Sequence, residues 1–292
     1  MTQALFGLDP ATELFIPLVL LLGLAWGSFC NVLAARLPIG QGICGRSQCP
    51  HCRHMLSWRD LAPVASYLAL RGRCRYCHRP ISARYVVVEV TCALLFLLAY
   101  VHAGRDPVAF AVMAFYLSLS LVVFFTDLEH AVIPNALVAP GVLVALASAA
   151  FRLNPSGPSL ALSVLGGILG GGVFMIIYWL TRGTGMGMGD VKLAFFMGLA
   201  LGPLGLLLAI LVGSLSGLLL AGFVMWRFRR ELASLGSVPM HMDQEEEPEI
   251  TDRVWGMMII NGRPAVPFGS FLSLGFAATL VFLEALFLAW FA

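Results

Sequence analysis

The chain has 292 residues, of which 59% are hydrophobic and only 12% charged. Soluble domains carry about 25% charged residues, so an ordinary soluble enzyme is excluded. The formal net charge of +2 says little, no nucleic-acid partner is expected, and apolar runs of about 20 residues mark an all-α polytopic membrane protein.

The first apolar segment covers 14–35. Only Asp9 and Glu13 precede it, with no Lys or Arg. A secretory signal needs a basic start and a small-residue cleavage site, so this segment is read as a retained span. Residues 36–85 are polar and hold nine arginines and five of the seven cysteines. Cys30 and Cys92 lie in apolar runs and are read as small lipid- or core-facing residues. Seven more apolar segments follow, at 86–103, 107–126, 136–152, 159–181, 190–201, 203–226 and 265–291, giving about eight transmembrane helices. The segment 190–201 has only 12 residues, and Gly202-Pro203 separates it from the next. A tight helical hairpin is expected there, with Pro203 in the first turn of the new helix. Residues 227–264 contain Arg227, Arg229 and Arg230 and then the acidic run Glu245-Glu246-Glu247, the pattern of a solvated loop. Glycines crowd 166–172 and 183–189.

Lys and Arg in the loops orient the helices. With the N-terminus outside, the inner segments 36–85, 127–135, 182–190 with Lys192, and 227–264 hold 16 of the 18 basic residues; Arg105 and Arg152 are the two outside. Both termini are therefore expected to be periplasmic. The resulting units are a first span (1–35), a cytoplasmic domain inserted between helices 1 and 2 (36–85), a six-span membrane core (86–226), a cytoplasmic loop (227–264) and a last span (265–292).

Cys49-Pro-His-Cys52 and Cys74-Arg-Tyr-Cys77 are two C-x-x-C pairs separated by 21 residues. Two such tight turns complete a closed tetrahedral shell of four thiolates, the structural zinc pattern. The cytoplasm is reducing, which favours metal ligation over disulfides; redox chemistry at either pair is the competing reading. Cys44, His51, His54 and His78 are substitute ligands or plain exposed residues. Zinc would supply folding energy that a small domain lacks.

Ionisable residues in or near spans are costly and usually functional. The candidates are Glu89, Asp127, Glu129, Asp190, Lys192 and Glu284. Asp127 ends the third span, and Asp190 opens the sixth within Gly185-Met186-Gly187-Met188-Gly189-Asp190. They are 63 residues apart, yet the topology puts both at the cytoplasmic boundary. A facing carboxyl pair suits aspartic proteolysis: one, ionised, takes a proton from water, and the other, protonated, donates to the scissile carbonyl. The glycines remove side chains beside Asp190, so a peptide backbone can approach. The residues leave two other readings open, a cation site in a metal or proton transporter and simple helix-end charges.

In combination these motifs resemble the bacterial type IV prepilin peptidases, of the GxGD class of intramembrane aspartic proteases. The likeness runs from Gly27-Ser28-Phe29-Cys30-Asn31-Val32 and Arg36-Leu37-Pro38 through the paired cysteines, Trp58-Arg59-Asp60 and Pro63-Val64-Ala65-Ser66-Tyr67-Leu68. It continues with Ile81-Ser82-Ala83-Arg84-Tyr85, Val88-Glu89, Asp127, Pro134-Asn135, Gly187-Met188-Gly189-Asp190 with Lys192, and Pro267-Phe268-Gly269. Val86 and Ser270 stand where the family often has proline; both are expected to lie away from the chemistry.

The resemblance implies a multi-pass enzyme of the bacterial inner membrane. Its substrates would be type IV prepilins and type II secretion pseudopilins, cut after a glycine just before the hydrophobic helix. Asp127 and Asp190 match the catalytic pair, and Cys49, Cys52, Cys74 and Cys77 the metal set. It further implies methylation of the new N-terminal amine with S-adenosylmethionine. The sequence shows no Rossmann glycine fingerprint, and 36–85 is too short for a βαβ methyltransferase, so a donor site is expected between the zinc domain and the helices. The arginines suit anionic lipid headgroups, and a basic leader would need Glu129, Glu89 or the acidic loop. The four-cysteine insertion argues against a preflagellin- or signal-peptide-peptidase-type protease. Charges at span boundaries rather than the bilayer midplane argue against the transporter.

Overall fold

Inside a bilayer every backbone N–H and C=O must be paired within the protein, so apolar runs fold as helices. The computed structural model describes residues 10–104, 106–153, 157–184, 186–234, 258–260, 263–265 and 267–291. Helix α1 is Pro10–Arg36. The inserted domain follows, with a 3-10 turn at Trp58–Leu61 and a short helix α2 at Ala65–Ala69. Then come α3 (Arg84–Ala103), α4 (Pro107–His130), α5 (Asn135–Phe151), α6 (Leu160–Leu180), α7 (Met188–Ser234) and α8 (Phe268–Phe291). Local chemistry sets several starts. Asp106 accepts from the N–H groups of Val108 and Ala109 with Pro107 at the first helical position, and Ser159 caps α6.

Five helices are long and apolar enough to cross a membrane, namely α1, α3, α4, α6 and α7, and the apolar stretches Asn135–Phe151 and Phe268–Phe282 are shorter. Helix α7 continues to Ser234, past the expected end at 226. Strands β1 (Met258–Ile260) and β2 (Arg263–Ala265) pair antiparallel before α8; they flank Asn261-Gly262, a sequence pair suited to hairpins. The acidic run Glu245-Glu246-Glu247, Gly185, Arg105 and the side chain of Glu284 lie outside the described residues.

Helix α7 breaks at Gly202, whose φ of 72° and ψ of −179° suit only glycine. A Cβ at Gly170 of α6 would meet both the Ala194 carbonyl and, at 3.0 Å, the Leu206 side chain. Residues twelve apart on a straight helix lie roughly 18 Å from each other. The chain therefore folds back at Gly202, and α7 is two arms, 188–201 and 203–234. The first arm is about 21 Å long, shorter than the hydrocarbon core of about 30 Å.

Helices in lipid associate by close packing rather than by hydrophobic burial, and glycine permits it here. Gly23 and Gly27 of α1 lie on the backbone of α3 at Ala93 and Glu89. Gly166 and Gly198 bring α6 onto the first arm of α7, where the Ser163 hydroxyl donates to the Leu199 carbonyl at 2.5 Å. Gly213 and Gly275 join the second arm to α8. Cys30 and Cys92 are both buried in the core. Where helices face outward, large apolar side chains such as Leu143, Leu207 and Leu218 are exposed, as a lipid-facing surface requires.

An aromatic cluster ties the centre. Tyr116 of α4, Phe196 of α7 and Phe276 of α8 touch pairwise, with ring centroids 5.9, 6.0 and 5.2 Å apart. Phe196→Ala should cost roughly 3 kcal/mol of stability by opening a cavity. The outward Leu207→Ala should stay within about 0.5 kcal/mol of the parent. Unfolding midpoints of the two variants in detergent check this; equal midpoints would show that the cluster is not the centre of the packing.

Candidate active site and metal centre

Asp127 sits in the last turn of α4. The helix ends at Ala131, which adopts the left-handed conformation with φ of 50° and returns its N–H to the Asp127 carbonyl at 2.8 Å. The Asp127 carboxylate is only 6% exposed. Its Oδ2 accepts from the Ser270 N–H at 2.6 Å and lies 3.1 Å from the Ser270 hydroxyl, which also lies 3.0 Å from the Phe124 carbonyl. Ser270 is in the first turn of α8, where N–H groups lack helical partners and favour an anion. Ser270 thus contacts the very carboxylate from which it was expected to be remote, and a proline there would delete the donating N–H.

Asp190 is in the first turn of α7 and 9% exposed. Its Oδ2 accepts from the Gly187 N–H at 3.3 Å. The two aspartates, far apart in sequence, are close enough for their charges to repel. Ile133, buried in the α4–α5 connection, packs against both Gly189 and Gly269. A Cβ at Gly189 would be 3.1 Å from the Ile133 Cβ, and one at Gly269 would be 2.8 Å from the Ile133 Cδ1 and 3.0 Å from the Asp127 Cγ. Gly189 and Gly269 are therefore packing glycines. Gly187 differs: a Cβ there would meet nothing closer than Asp190 Oδ2 at 3.8 Å. Its missing side chain leaves room beside the carboxylate.

The other boundary charges are already engaged. Lys192 Nζ donates to Asn135 Oδ1 at 2.8 Å, joining α7 to α5. Arg84 Nε lies 2.6 Å from Glu129 Oε1, with the guanidinium 5.6 Å from the Phe125 ring centre. Glu89 accepts from the Val64 N–H at 2.8 Å, which docks the inserted domain on α3.

In the inserted domain each C-x-x-C pair forms the same knuckle. The Cys49 N–H donates to the His54 carbonyl and the Arg53 N–H to the Cys49 carbonyl; Cys74, Arg79 and His78 repeat the pattern. The residue after each pair, Arg53 or His78, has φ of 57°, and Gln48↔Met55 and Arg73↔Pro80 bridges close the two loops. The four sulfurs of Cys49, Cys52, Cys74 and Cys77 all lie within 4.8 Å of one another. The Cys49–Cys77 separation is 3.8 Å, and tetrahedral ligands at about 2.3 Å from an ion would be roughly 3.8 Å apart. The set fits one metal ion. Burial opposes ionisation of Cys49, but the N–H groups of Cys52 and His51 outweigh it and hold the thiol down to about 7. The Arg79 N–H favours the Cys77 thiolate, yet burial and the three neighbouring thiols push it up to about 11. The His54 ring lies against that of Tyr76, with centroids 3.6 Å apart and a tilt of 32°, instead of joining the set. Asp60 braces the domain: burial opposes its charge, but Arg75 at 2.7 Å and Ser57 hold its carboxyl down to about 2.

Several residues of the site carry no motif signal. Ile133 and Gly23 look ordinary in sequence, and Ser270 shows there only as a departure from a family proline.

Comparison with known proteins follows the same two halves. Residues 21–103 match the Bacterial Peptidase A24 N-terminal domain, and residues 114–222 match the Type IV leader peptidase family. A Myxococcus xanthus (strain DK1622) protein named prepilin leader peptidase/N-methyltransferase is 41% identical over 137 residues, covering 47% of this chain and 41% of that protein. A protein of the same name from Burkholderia pseudomallei (strain 1026b) is 31% identical over 304 residues, covering 93% of this chain and 86% of that protein. A type 4 prepilin-like proteins leader peptide-processing enzyme from Escherichia coli O78:H11 (strain H10407 / ETEC) is 32% identical over 291 residues, covering 91% and 93%. No solved structure matches significantly. With two family domains in order and relatives matched along nearly the whole chain, the protein belongs to the type IV leader peptidase family.

Proposed function

We propose that this enzyme removes the basic leader from type IV prepilins and type II secretion pseudopilins at the cytoplasmic face of the bacterial inner membrane, and then N-methylates the new terminus with S-adenosylmethionine. The observation that carries the first half is the approach of two buried carboxylates, Asp127 and Asp190, beside the open space at Gly187. One carboxylate takes the proton of the attacking water. The other, carrying a proton, donates to the scissile carbonyl, and the pair shares its titration. An extended substrate backbone fits over Gly187. The short first arm of α7 sets Asp190 at the membrane boundary, where a leader that stays in the cytoplasm meets its hydrophobic helix.

In this reading both termini are periplasmic and the four-cysteine domain is cytoplasmic. Its ion is a structural zinc, since four thiolates leave no open coordination position. The exposed arginines of this domain face lipid headgroups. Glu129 is already paired with Arg84, and Glu89 is engaged by the Val64 N–H, which leaves the acidic run Glu245-Glu246-Glu247 to attract the leader. Membership of this family gives the transporter reading no support.

Asp127→Asn and Asp190→Asn should each lower leader cleavage by at least about 100-fold, the usual scale of a lost acid or base. Asparagine keeps an oxygen to accept from Ser270 or Gly187, so metal content and unfolding midpoint should stay at parent values. Parent-like cleavage by either purified variant would remove the dyad. For the metal, elemental analysis should find about one zinc per chain. Cys49→Ser or Cys74→Ser should lose it and expose the domain to protease; full occupancy in the double variant would rule the site out.

A further inference from the structure

The two aspartates are not equally supplied with donors. Both donors of Ser270 reach one oxygen of Asp127: the N–H lies 2.6 Å and the hydroxyl 3.1 Å from Oδ2. Among the described residues a single N–H, that of Gly187, reaches Asp190 Oδ2, at 3.3 Å. Helix dipoles do not separate the two groups. Asp190 stands in the first turn of α7, and Asp127 faces the first turn of α8, so each meets the positive end of a helix. The donors do separate them, because hydrogen bonds to an ionised acceptor are shorter and stronger than to a neutral one. Two carboxyls close enough to repel cannot both ionise freely. The charge settles on the one with more donors.

We infer that Ser270 is a positioning residue that divides the work of the pair: it holds Asp127 as the ionised base and so leaves Asp190 to carry the proton. This division rests on the cleavage half of the function proposed above. A proline at 270 would have neither donor, so the device belongs to this chain and not to every member of its family.

The hydroxyl suits both stages of a cleavage cycle. It also lies 3.0 Å from the Phe124 carbonyl, so its one proton has two acceptors. While Asp127 is ionised, the hydroxyl donates to Oδ2. Ser270 does not hold Oδ1, and that oxygen takes the proton of the attacking water. The water oxygen bonds to the scissile carbon, the carbonyl π pair moves to its oxygen, and that oxygen takes the Asp190 proton. Asp127 is now neutral and a weaker acceptor, and the Ser270 hydroxyl turns to Phe124. Asp127 then gives its proton to the leaving nitrogen, the C–N bond breaks, and Asp190 recovers a proton from the diol as the carbonyl re-forms. Both carboxyls end as they began.

Few other charged groups stand at this end of the bundle. Among the described residues, α5 and α8 bring no titratable side chain. Arg84 of α3 is on Glu129, and Glu89 is on the Val64 N–H. Arg36 of α1 reaches the carbonyls of Ile43 and Arg46, and Lys192 of α7 is on Asn135. His130 follows on α4 itself, three residues after Asp127.

The test compares leader cleavage across pH by the full, metal-loaded chain in nanodiscs. One prepilin substrate is used throughout, so that its own groups contribute equally. Donors to the base favour its ionised form, so their loss moves the acidic limb of kcat/KM to higher pH. Ser270→Ala should move that limb up by at least about half a pH unit. Ser270→Pro, which removes the N–H as well, should move it by about one pH unit or more, with the basic limb fixed in both. Ser270→Thr keeps both donors and should follow the parent. Metal content and unfolding midpoint report that the variants are folded. A role in packing alone would lower the rate at every pH and move neither limb, which would overturn the inference. Movement of the basic limb alone would make Asp127 the acid and reverse the assignment. A second measurement uses an epoxide, which alkylates an ionised carboxylate: the carboxylate oxygen opens the ring, and the resulting alkoxide takes a proton from water. Peptide mass spectrometry should find the ester on Asp127; an ester on Asp190 instead would also overturn the inference. Those failures leave cleavage by the pair standing, whereas parent-like cleavage by Asp127→Asn removes the pair and the role of Ser270 with it.

Discussion

Contact among Tyr116, Phe196 and Phe276 is the constraint on which the membrane core depends. Each ring comes from a different helix, and those helices carry Asp127, Asp190 and Ser270 respectively. In lipid there is no hydrophobic force between helices, so interdigitated rings and backbone-to-backbone approach must hold the register. The rings fix the helices laterally. The glycines at 166, 198, 213 and 275 then let the neighbouring backbones close around them.

The aspartates meet through this arrangement rather than through any local motif. Asp127 ends a long helix, and Asp190 starts an arm too short to cross the bilayer alone. Ile133 packs against the two glycine-backed turns, and the free N–H of Ser270 gives the Asp127 charge a fixed partner. The glycines of the Gly187-Met188-Gly189-Asp190 motif have divided roles. Gly189 lets Ile133 pack, whereas Gly187 leaves empty space next to the carboxylate. A packing glycine and an access glycine look alike in sequence.

The inserted domain docks at the end of the bundle where α3 begins and α4 finishes. The Val64 N–H reaches Glu89, and Arg84, at the start of α3, reaches Glu129 near the end of α4. The domain therefore lies over the same end of the bundle as the aspartates. A cleaved chain end would then stay near the place where a second reaction on its amine is proposed to occur.

Sequence was sufficient for whatever depends on composition and short spacing. The apolar runs, the paired cysteines and the break at Gly202-Pro203 were all legible, because bilayer thickness, metal geometry and glycine torsions act locally. Family membership was legible as well, since its motifs are ordered along the chain. The roles of Ile133, Ser270 and the Tyr116–Phe196–Phe276 cluster were not. Each is an ordinary residue type whose meaning comes from a neighbour on another helix, 143 residues away for Ser270 and Asp127. Ser270, read as a remote departure, proved to touch an aspartate. Pattern within one helix cannot say which faces will meet; only the close packing of helices in three dimensions, where side-chain volume and backbone approach leave one arrangement, settles it.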